Sequence, residues 1–138
     1  MIAYLDSSVL LRIVLGQKDR LPEWRRVERG VASALVEVEC LRTLDRMRLR
    51  AKWTDDELAR RRETVYLLCQ ETEVVEVTRP VLARASNPLP TPVGTLDAIH
   101  LASALLFRET SLVDLVMATH DAALARAARA CGLEVFGS

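Results

Sequence analysis

Three aspartates occur where predicted helices begin. Asp6 follows an apolar strand predicted at 2–5, and Asp121 follows another at 115–119. Asp97 lies in the first turn of a third predicted helix, within the apolar stretch GTLDAIHLASAL. Each aspartate has a structural explanation, because a carboxylate in the first turn interacts favourably with the helix dipole, by about 0.3–1 kcal/mol. A chemical role requires that the three lie close together.

The order of the predicted elements places these carboxylates at one edge of a sheet. Strands alternate with helices along the chain, which is typical of an α/β domain with a mainly parallel sheet. The carboxyl ends of parallel strands share one edge, so we expect Asp6, Asp97 and Asp121 to be neighbours there. Carboxylates that lie close together repel each other and raise each other's pKa, and a bound divalent cation would relieve this repulsion. Carboxylate oxygens without cysteine or histidine favour Mg²⁺ or Mn²⁺.

The remaining predicted elements support this arrangement. Helices are expected at 7–15, 21–29, 35–49, 54–70, from 95 onward and at 121–131, and strands at 2–5, 31–33, 74–78, 115–119 and 133–136. Thr95 is the expected N-cap of the apolar helix. Three prolines between 87 and 94 predict a loop, because proline cannot continue a helix. We therefore expect one domain over residues 1–138.

A fourth carboxylate, Glu39, lies beside the predicted core stripe of the helix at 35–49. On a helical wheel it shares a polar face with Arg42, Thr43 and Arg46. Two interpretations stay open at this point. Glu39 is either an exposed residue that pairs with Arg42 or Thr43, or the fourth member of an acidic site.

Histidine and cysteine offer little to a metal site. The chain has only two histidines. His100 is typical of a satisfied core histidine, while His120 precedes Asp121 and could touch the site. The three cysteines are far apart in the sequence, which favours reduced thiols over disulfides or a zinc site.

Composition limits the class of protein. Half of the 138 residues are hydrophobic, which is enough for the chain to form its own hydrophobic core. No apolar run reaches the roughly 18 residues of a membrane span, and the N-terminal segment lacks the basic start of a signal peptide. A cytoplasmic protein without membrane association is expected.

The charge distribution is uneven, although the formal net charge is zero. Between residues 42 and 62 eight basic residues stand against four acidic ones, and seventeen of the nineteen basic residues in the chain are arginine. Arginine is suited to bidentate phosphate contacts. A solvated helical surface explains the same pattern, so both interpretations stay open.

Four segments together resemble the PIN-domain family, in particular the VapC-type toxins of bacterial toxin–antitoxin pairs. They are YLDSSVLL at 4–11, VECLRTL at 38–44, LDAIHLA at 96–102 and ATHDAALARAA at 118–128. No single segment is specific, but the four occur in the family's order and extend over essentially the whole chain.

The resemblance implies a three-layer α/β/α sandwich with a mainly parallel sheet of four or five strands. It implies that the catalytic site consists of Asp6, Glu39, Asp97 and Asp121, with Ser8 and Thr119 supporting it by hydrogen bonds. It further implies a Mg²⁺-dependent endoribonuclease that forms a homodimer and binds a cognate antitoxin.

The expected mechanism divides the work among these residues. Asp6 and Asp97 are the first choices as ligands of Mg²⁺ or Mn²⁺, while Glu39 and Asp121 complete the shell or hold the attacking water. The residues expected to contact RNA phosphates are Arg42 and Arg46.

Two other α/β classes also place carboxylates at strand ends. A haloacid-dehalogenase-type phosphatase needs an aspartate two residues after its nucleophile, where this chain has Ser8. A response-regulator receiver needs an acidic pair near the first strand, but Ser7 follows Asp6. The alternative that stays open is a PIN-like module that is non-catalytic, or that processes RNA outside a toxin–antitoxin pair.

Overall fold

The structure is a computed structural model that describes residues 1–17 and 22–138. Its centre is a five-stranded sheet with every pairing parallel, in the order β3-β2-β1-β4-β5. The strands are β1 Ile2–Leu5, β2 Arg29–Ser33, β3 Glu73–Val75, β4 Leu115–Ala118 and β5 Glu134–Phe136. The helices are α1 Ser7–Val14, α2 Leu35–Ala51, α3 Asp55–Gln70, α4 Arg79–Ser86, α5 Thr95–Ser111 and α6 Ala122–Ala130, with a 3-10 helix at Pro22–Arg26.

Alternation along the strands divides the core between the two faces of the sheet. Leu5 packs in one cluster with Val9 of α1 and Val36 of α2, whereas Tyr4 packs in another with Leu101 of α5 and Leu124 of α6. The helices therefore cover both faces, and the prediction of a three-layer α/β/α sandwich is confirmed.

The strand order creates one crevice at the carboxyl edge. From β1 the chain moves outward to β2 and β3, and then returns through α4 and α5 to β4 on the other side of β1. The β1–β4 boundary is therefore the point where the winding reverses, which is the usual position of ligand sites in such sheets. Leu5 is in register with Ala118, so Asp6 and Thr119 follow side by side at this edge.

Two predicted helix features are wrong. The helix expected at 21–29 is a 3-10 helix at Pro22–Arg26, and Leu21 lies outside the described residues. Arg29 already belongs to β2, where it pairs with Ile2 in the sheet; strand pairing outweighs the local helical pattern. Thr95 is the first residue of α5 rather than its N-cap, which is Gly94 in an extended conformation.

The structure also contains a helix that the sequence analysis did not predict. Thr78 caps α4 by accepting a hydrogen bond from the Val81 N–H at 3.5 Å, and Pro80 lies in the first turn. A threonine followed by proline is a recognised helix start. The strand expected at 74–78 consequently ends at Val75.

Candidate active site

Asp6 is a buried carboxylate whose side chain is fixed from two directions. It lies directly after β1 and is 4% exposed. The hydroxyls of Ser8 and Thr119 both donate to its Oδ2, at 2.6 and 2.8 Å. Within the described ranges no hydrogen bond reaches Oδ1, so this oxygen keeps its capacity to accept.

The two hydroxyls also hold the chain segment that follows β4. Thr119 Oγ1 accepts from the Asp121 N–H at 3.0 Å, and Ser8 Oγ accepts from the His120 N–H at 3.0 Å. The side chain of His120 hydrogen-bonds to the Gly137 carbonyl at 2.8 Å through Nδ1. His120 therefore touches the network through its backbone.

Asp121 has the capping role that its sequence position predicts. Its Oδ1 accepts from the Leu124 N–H at 2.8 Å, which caps α6. This contact occupies one carboxylate oxygen at the same edge of the sheet as Asp6.

Asp97 behaves differently from a helix-capping aspartate. It lies in the first turn of α5 and is partly exposed. Its pKa is raised from 3.8 to about 6, first by burial and then by the charges of Asp121 and Asp6, against a lowering by His100. A helix dipole alone would lower the pKa of an aspartate here. The raised pKa reflects burial first and then the neighbouring carboxylates Asp121, Asp6 and Glu39.

Glu39 does not pair with its own helix. Its Oε1 lies 2.5 Å from Nε2 of His100 on α5. Arg42 instead bonds Asp45 at 3.1 Å, and the hydroxyl of Thr43 donates to the backbone carbonyl of Glu39. The interpretation of Glu39 as a partner of Arg42 or Thr43 is therefore wrong for its carboxylate.

His100 is a core histidine, as predicted, but it also contacts a candidate site residue. The imidazole is fully buried, and its Nδ1 lies 2.9 Å from the Tyr4 hydroxyl. Burial lowers the pKa of His100, but the hydrogen bond and charge of Glu39, with Asp6 and Asp97, raise it above its ordinary value overall. The available sequence signal was spacing, because residues 97 and 100 share a helix face.

The arginines expected to contact phosphate line a groove beside Glu39. Arg42 and Arg46 border a cavity of about 320 Å³ together with Ser7, Leu35, Val38, Glu39, Thr43 and Leu96. Val38 and Leu96 are about half exposed, so the groove combines cationic and apolar walls. Arg46 donates to Thr43 Oγ1 at 3.2 Å.

Comparison with protein families matches residues 3–130 to the PIN domain. The chain belongs to the PIN-domain family. PIN domains are generally nucleases, and those nucleases generally depend on divalent metals. A comparison with the curated proteins finds no match to this PIN domain.

Solved structures share the fold of this PIN domain. A toxin–antitoxin complex from Klebsiella pneumoniae matches with a TM-score of 0.65 and 13% identity, over 91% of this chain and 89% of the other. VapBC2 from Rickettsia felis, bound to a DNA fragment from its promoter, matches with a TM-score of 0.66 and 11% identity, over 98% of this chain and 97% of the other. PAE2754 from Pyrobaculum aerophilum matches with a TM-score of 0.59 and 18% identity, over 98% of this chain and 83% of the other.

The acidic side chains of this PIN domain do not form a closed metal cage. Among residues 1–17 and 22–138 there is no group of three or more His, Cys, Asp or Glu side chains placed to hold a metal ion. The donor set nevertheless suits Mg²⁺, which usually binds through one or two carboxylates and keeps water or substrate phosphates as its other ligands. Asp6 with its open Oδ1 and the partly exposed Asp97 meet that requirement.

Thr119→Val is expected to destabilise the protein. The substitution preserves shape but removes both the donor to Asp6 and the acceptor for the Asp121 N–H, which are buried or partly buried. We expect the free energy of unfolding to fall by about 1–3 kcal/mol in urea titrations. Thr119→Ser keeps the hydroxyl and is the matched control. Equal losses in the two variants would mean that packing, rather than hydrogen bonding, explains Thr119.

Proposed function

We propose that this PIN domain is a metal-dependent endoribonuclease and the toxin of a toxin–antitoxin pair. The observation that carries the proposal is the buried Asp6 carboxylate at the β1–β4 crevice, which Ser8 and Thr119 hold through Oδ2 while Oδ1 keeps its capacity to accept. The raised pKa of Asp97, caused by burial and then by the neighbouring carboxylates, supports it. The fold shared with a toxin–antitoxin complex and with VapBC2 supports the toxin role.

The catalytic residues in this proposal are Asp6, Glu39, Asp97 and Asp121. Asp6 and Asp97 hold Mg²⁺ or Mn²⁺. When bound, such a cation activates water and stabilises charge on the phosphoryl oxygens. Ser8 and Thr119 fix the Asp6 carboxylate through its Oδ2, so that Oδ1 can face a ligand without reorganisation.

The other side chains place the reactants. Glu39, and the Asp121 oxygen that does not cap α6, accept hydrogen bonds from the attacking water. Arg42 and Arg46 bind RNA phosphates along the groove beside Glu39. The contacts of Arg42 with Asp45 and of Arg46 with Thr43 are solvent-exposed and weak, so a phosphate can replace them.

The proposed setting follows from the toxin role. Within the described part of the chain, no helix combines the length and apolar character needed to cross a membrane. We infer a cytoplasmic homodimer whose activity is restrained by a cognate antitoxin.

Cleavage of total RNA tests the nuclease proposal. Purified protein is expected to cut RNA at defined positions with Mg²⁺ or Mn²⁺ and to leave it intact in EDTA, and sequencing of the new ends would identify the target. If RNA is bound but never cut by a folded protein with either cation, the non-catalytic alternative replaces this proposal.

Expression in growing bacteria tests the toxin role. Induction of the chain alone is expected to stop growth, because RNA cleavage without an antitoxin is unrestrained, and co-expression with the product of its neighbouring gene should restore growth. Growth curves and western blots provide the measurement. Equal growth with and without induction, from a verified soluble product, contradicts the toxin role.

A further inference from the structure

Glu39 reaches the proposed active site from a different helical layer than Asp97. It belongs to α2, which packs on the same face of the sheet as α1, whereas Asp97 belongs to α5 on the opposite face. A glutamate has three side-chain torsions, so an unheld carboxylate samples many positions. Something must hold it at the carboxyl edge.

The contacts on α2 do not hold the Glu39 carboxylate. Arg42 is engaged by Asp45, and Thr43 bonds the backbone carbonyl of Glu39 rather than its side chain. The partner is on α5, where His100 Nε2 lies 2.5 Å from Glu39 Oε1. This contact connects residues 61 positions apart and joins the two helical layers.

The imidazole of His100 is itself fixed. It is fully buried, and Tyr4, which is also fully buried, places its hydroxyl 2.9 Å from Nδ1. An ionised carboxylate only accepts hydrogen bonds, so Nε2 donates to Glu39. In the neutral imidazole Nδ1 then accepts from the Tyr4 hydroxyl, which selects the tautomer that directs a proton toward Glu39.

We propose that His100, oriented by Tyr4, is a positioning residue that holds the Glu39 carboxylate at the active site for RNA hydrolysis. The inference rests on the proposed function and adds a hydrogen-bonded chain from β1 through α5 to α2. Outer-shell partners of this kind typically change activity by 10–100-fold when they are removed. Groups held in place before the reaction avoid the entropic cost of ordering during it.

The first test is spectroscopic and needs neither metal nor RNA. With two histidines in the chain, the His100 imidazole signals can be assigned by their loss in His100→Gln. In metal-free wild type we expect a downfield, slowly exchanging Nε2 proton. Glu39→Gln should move or broaden this signal, whereas Glu37→Gln, the same substitution on the exposed face of α2, should leave it unchanged. A signal indifferent to Glu39→Gln overturns the inference.

The second test uses RNA cleavage. His100→Leu should lower kcat about 10–100-fold with little change in the KM for RNA, because it loosens Glu39 but leaves Arg42 and Arg46, the proposed phosphate contacts, in place. His100→Gln, whose amide can still donate to Glu39, should recover a large part of kcat. Leu101→Val perturbs the same buried helix without contacting Glu39 and should keep wild-type kcat.

The two tests separate the possible failures. If wild type does not cleave RNA, the proposed function fails and the role of His100 in hydrolysis fails with it, while the spectrum still decides whether the contact exists. If wild type cleaves RNA but His100→Leu, shown to be folded by circular dichroism, has wild-type kcat, the positioning role alone is overturned. Similar losses in His100→Leu and Leu101→Val would also overturn it, since helix packing would then be the cause.

Discussion

Asp97→Asn is expected to lower the rate of RNA cleavage by about 100-fold or more while the fold is preserved. The amide has nearly the same shape and keeps one carbonyl oxygen, but it loses the charge that a divalent cation requires. Loss of a mere outer-shell partner in a metal site costs about 10–100-fold, so loss of a proposed ligand should cost at least the upper end of that range. Initial rates on a mapped RNA substrate provide the measurement.

A matched aspartate controls for the loss of charge. Asp114 is exposed and precedes β4, at the edge of the sheet opposite to the site. Asp114→Asn should keep wild-type activity, because its carboxylate is remote from the β1–β4 crevice. Undiminished cleavage by a homogeneous Asp97→Asn preparation would leave Asp97 with a structural role only.

Local sequence was sufficient for most of the fold. The strands at 2–5 and near 115–119 are short apolar runs that end at polar residues, and the capping box at Thr54 marks the start of α3 in both the prediction and the structure. Local signals fail where distant pairing decides the conformation. Arg29 joins β2 because it pairs with Ile2 and forms an ion pair with Glu73, both remote in sequence.

The candidate site was predictable to different degrees. The placement of Asp6 and Asp121 follows from parallel strands alone, since the residues after the carboxyl ends of two strands must share an edge. The position of Glu39 does not follow from its helix, because the helical wheel favoured Arg42 and Thr43 as partners. Only the packed layers bring His100 to Glu39, and no periodicity within either helix carries that information.

Asp97→Asn is also expected to raise the melting temperature of the metal-free protein at neutral pH. In the folded state burial and neighbouring carboxylates raise the pKa of Asp97 from 3.8 to about 6. A shift of this size corresponds to a destabilisation of at most about 3 kcal/mol, and the partial exposure of Asp97 reduces it. The lost interaction with the helix dipole costs only about 0.3–1 kcal/mol. We therefore expect a net increase of roughly 3–8 °C.

The effect of Asp97 has a defined pH window. Below pH 3.8 the carboxyl group of Asp97 is mostly protonated in both the folded and the unfolded chain, so it does not destabilise the fold. As pH rises toward about 6 the unfolded chain releases its proton first, which favours unfolding. The stability difference between Asp97→Asn and wild type should therefore be small at pH 4, grow through pH 5 and level off above pH 6. Thermal melts in EDTA at these pH values measure it.

Adding a divalent cation should narrow or reverse the difference in melting temperature between the two proteins. A ligand that binds only the folded state at 100 times its Kd contributes about 2.7 kcal/mol, so Mn²⁺ should raise the wild-type melting temperature by about 5 °C or more. Asp97→Asn should gain much less, because it has lost a proposed ligand. Asp114→Asn should follow wild type with and without Mn²⁺. If Asp97 only stabilised its helix, Asp97→Asn would have a lower melting temperature than wild type in EDTA, and Mn²⁺ would leave the wild-type melting temperature unchanged. If Asp97→Asn is instead more stable than wild type without metal and inactive with it, the charge of Asp97 serves metal binding and reduces the stability of the fold.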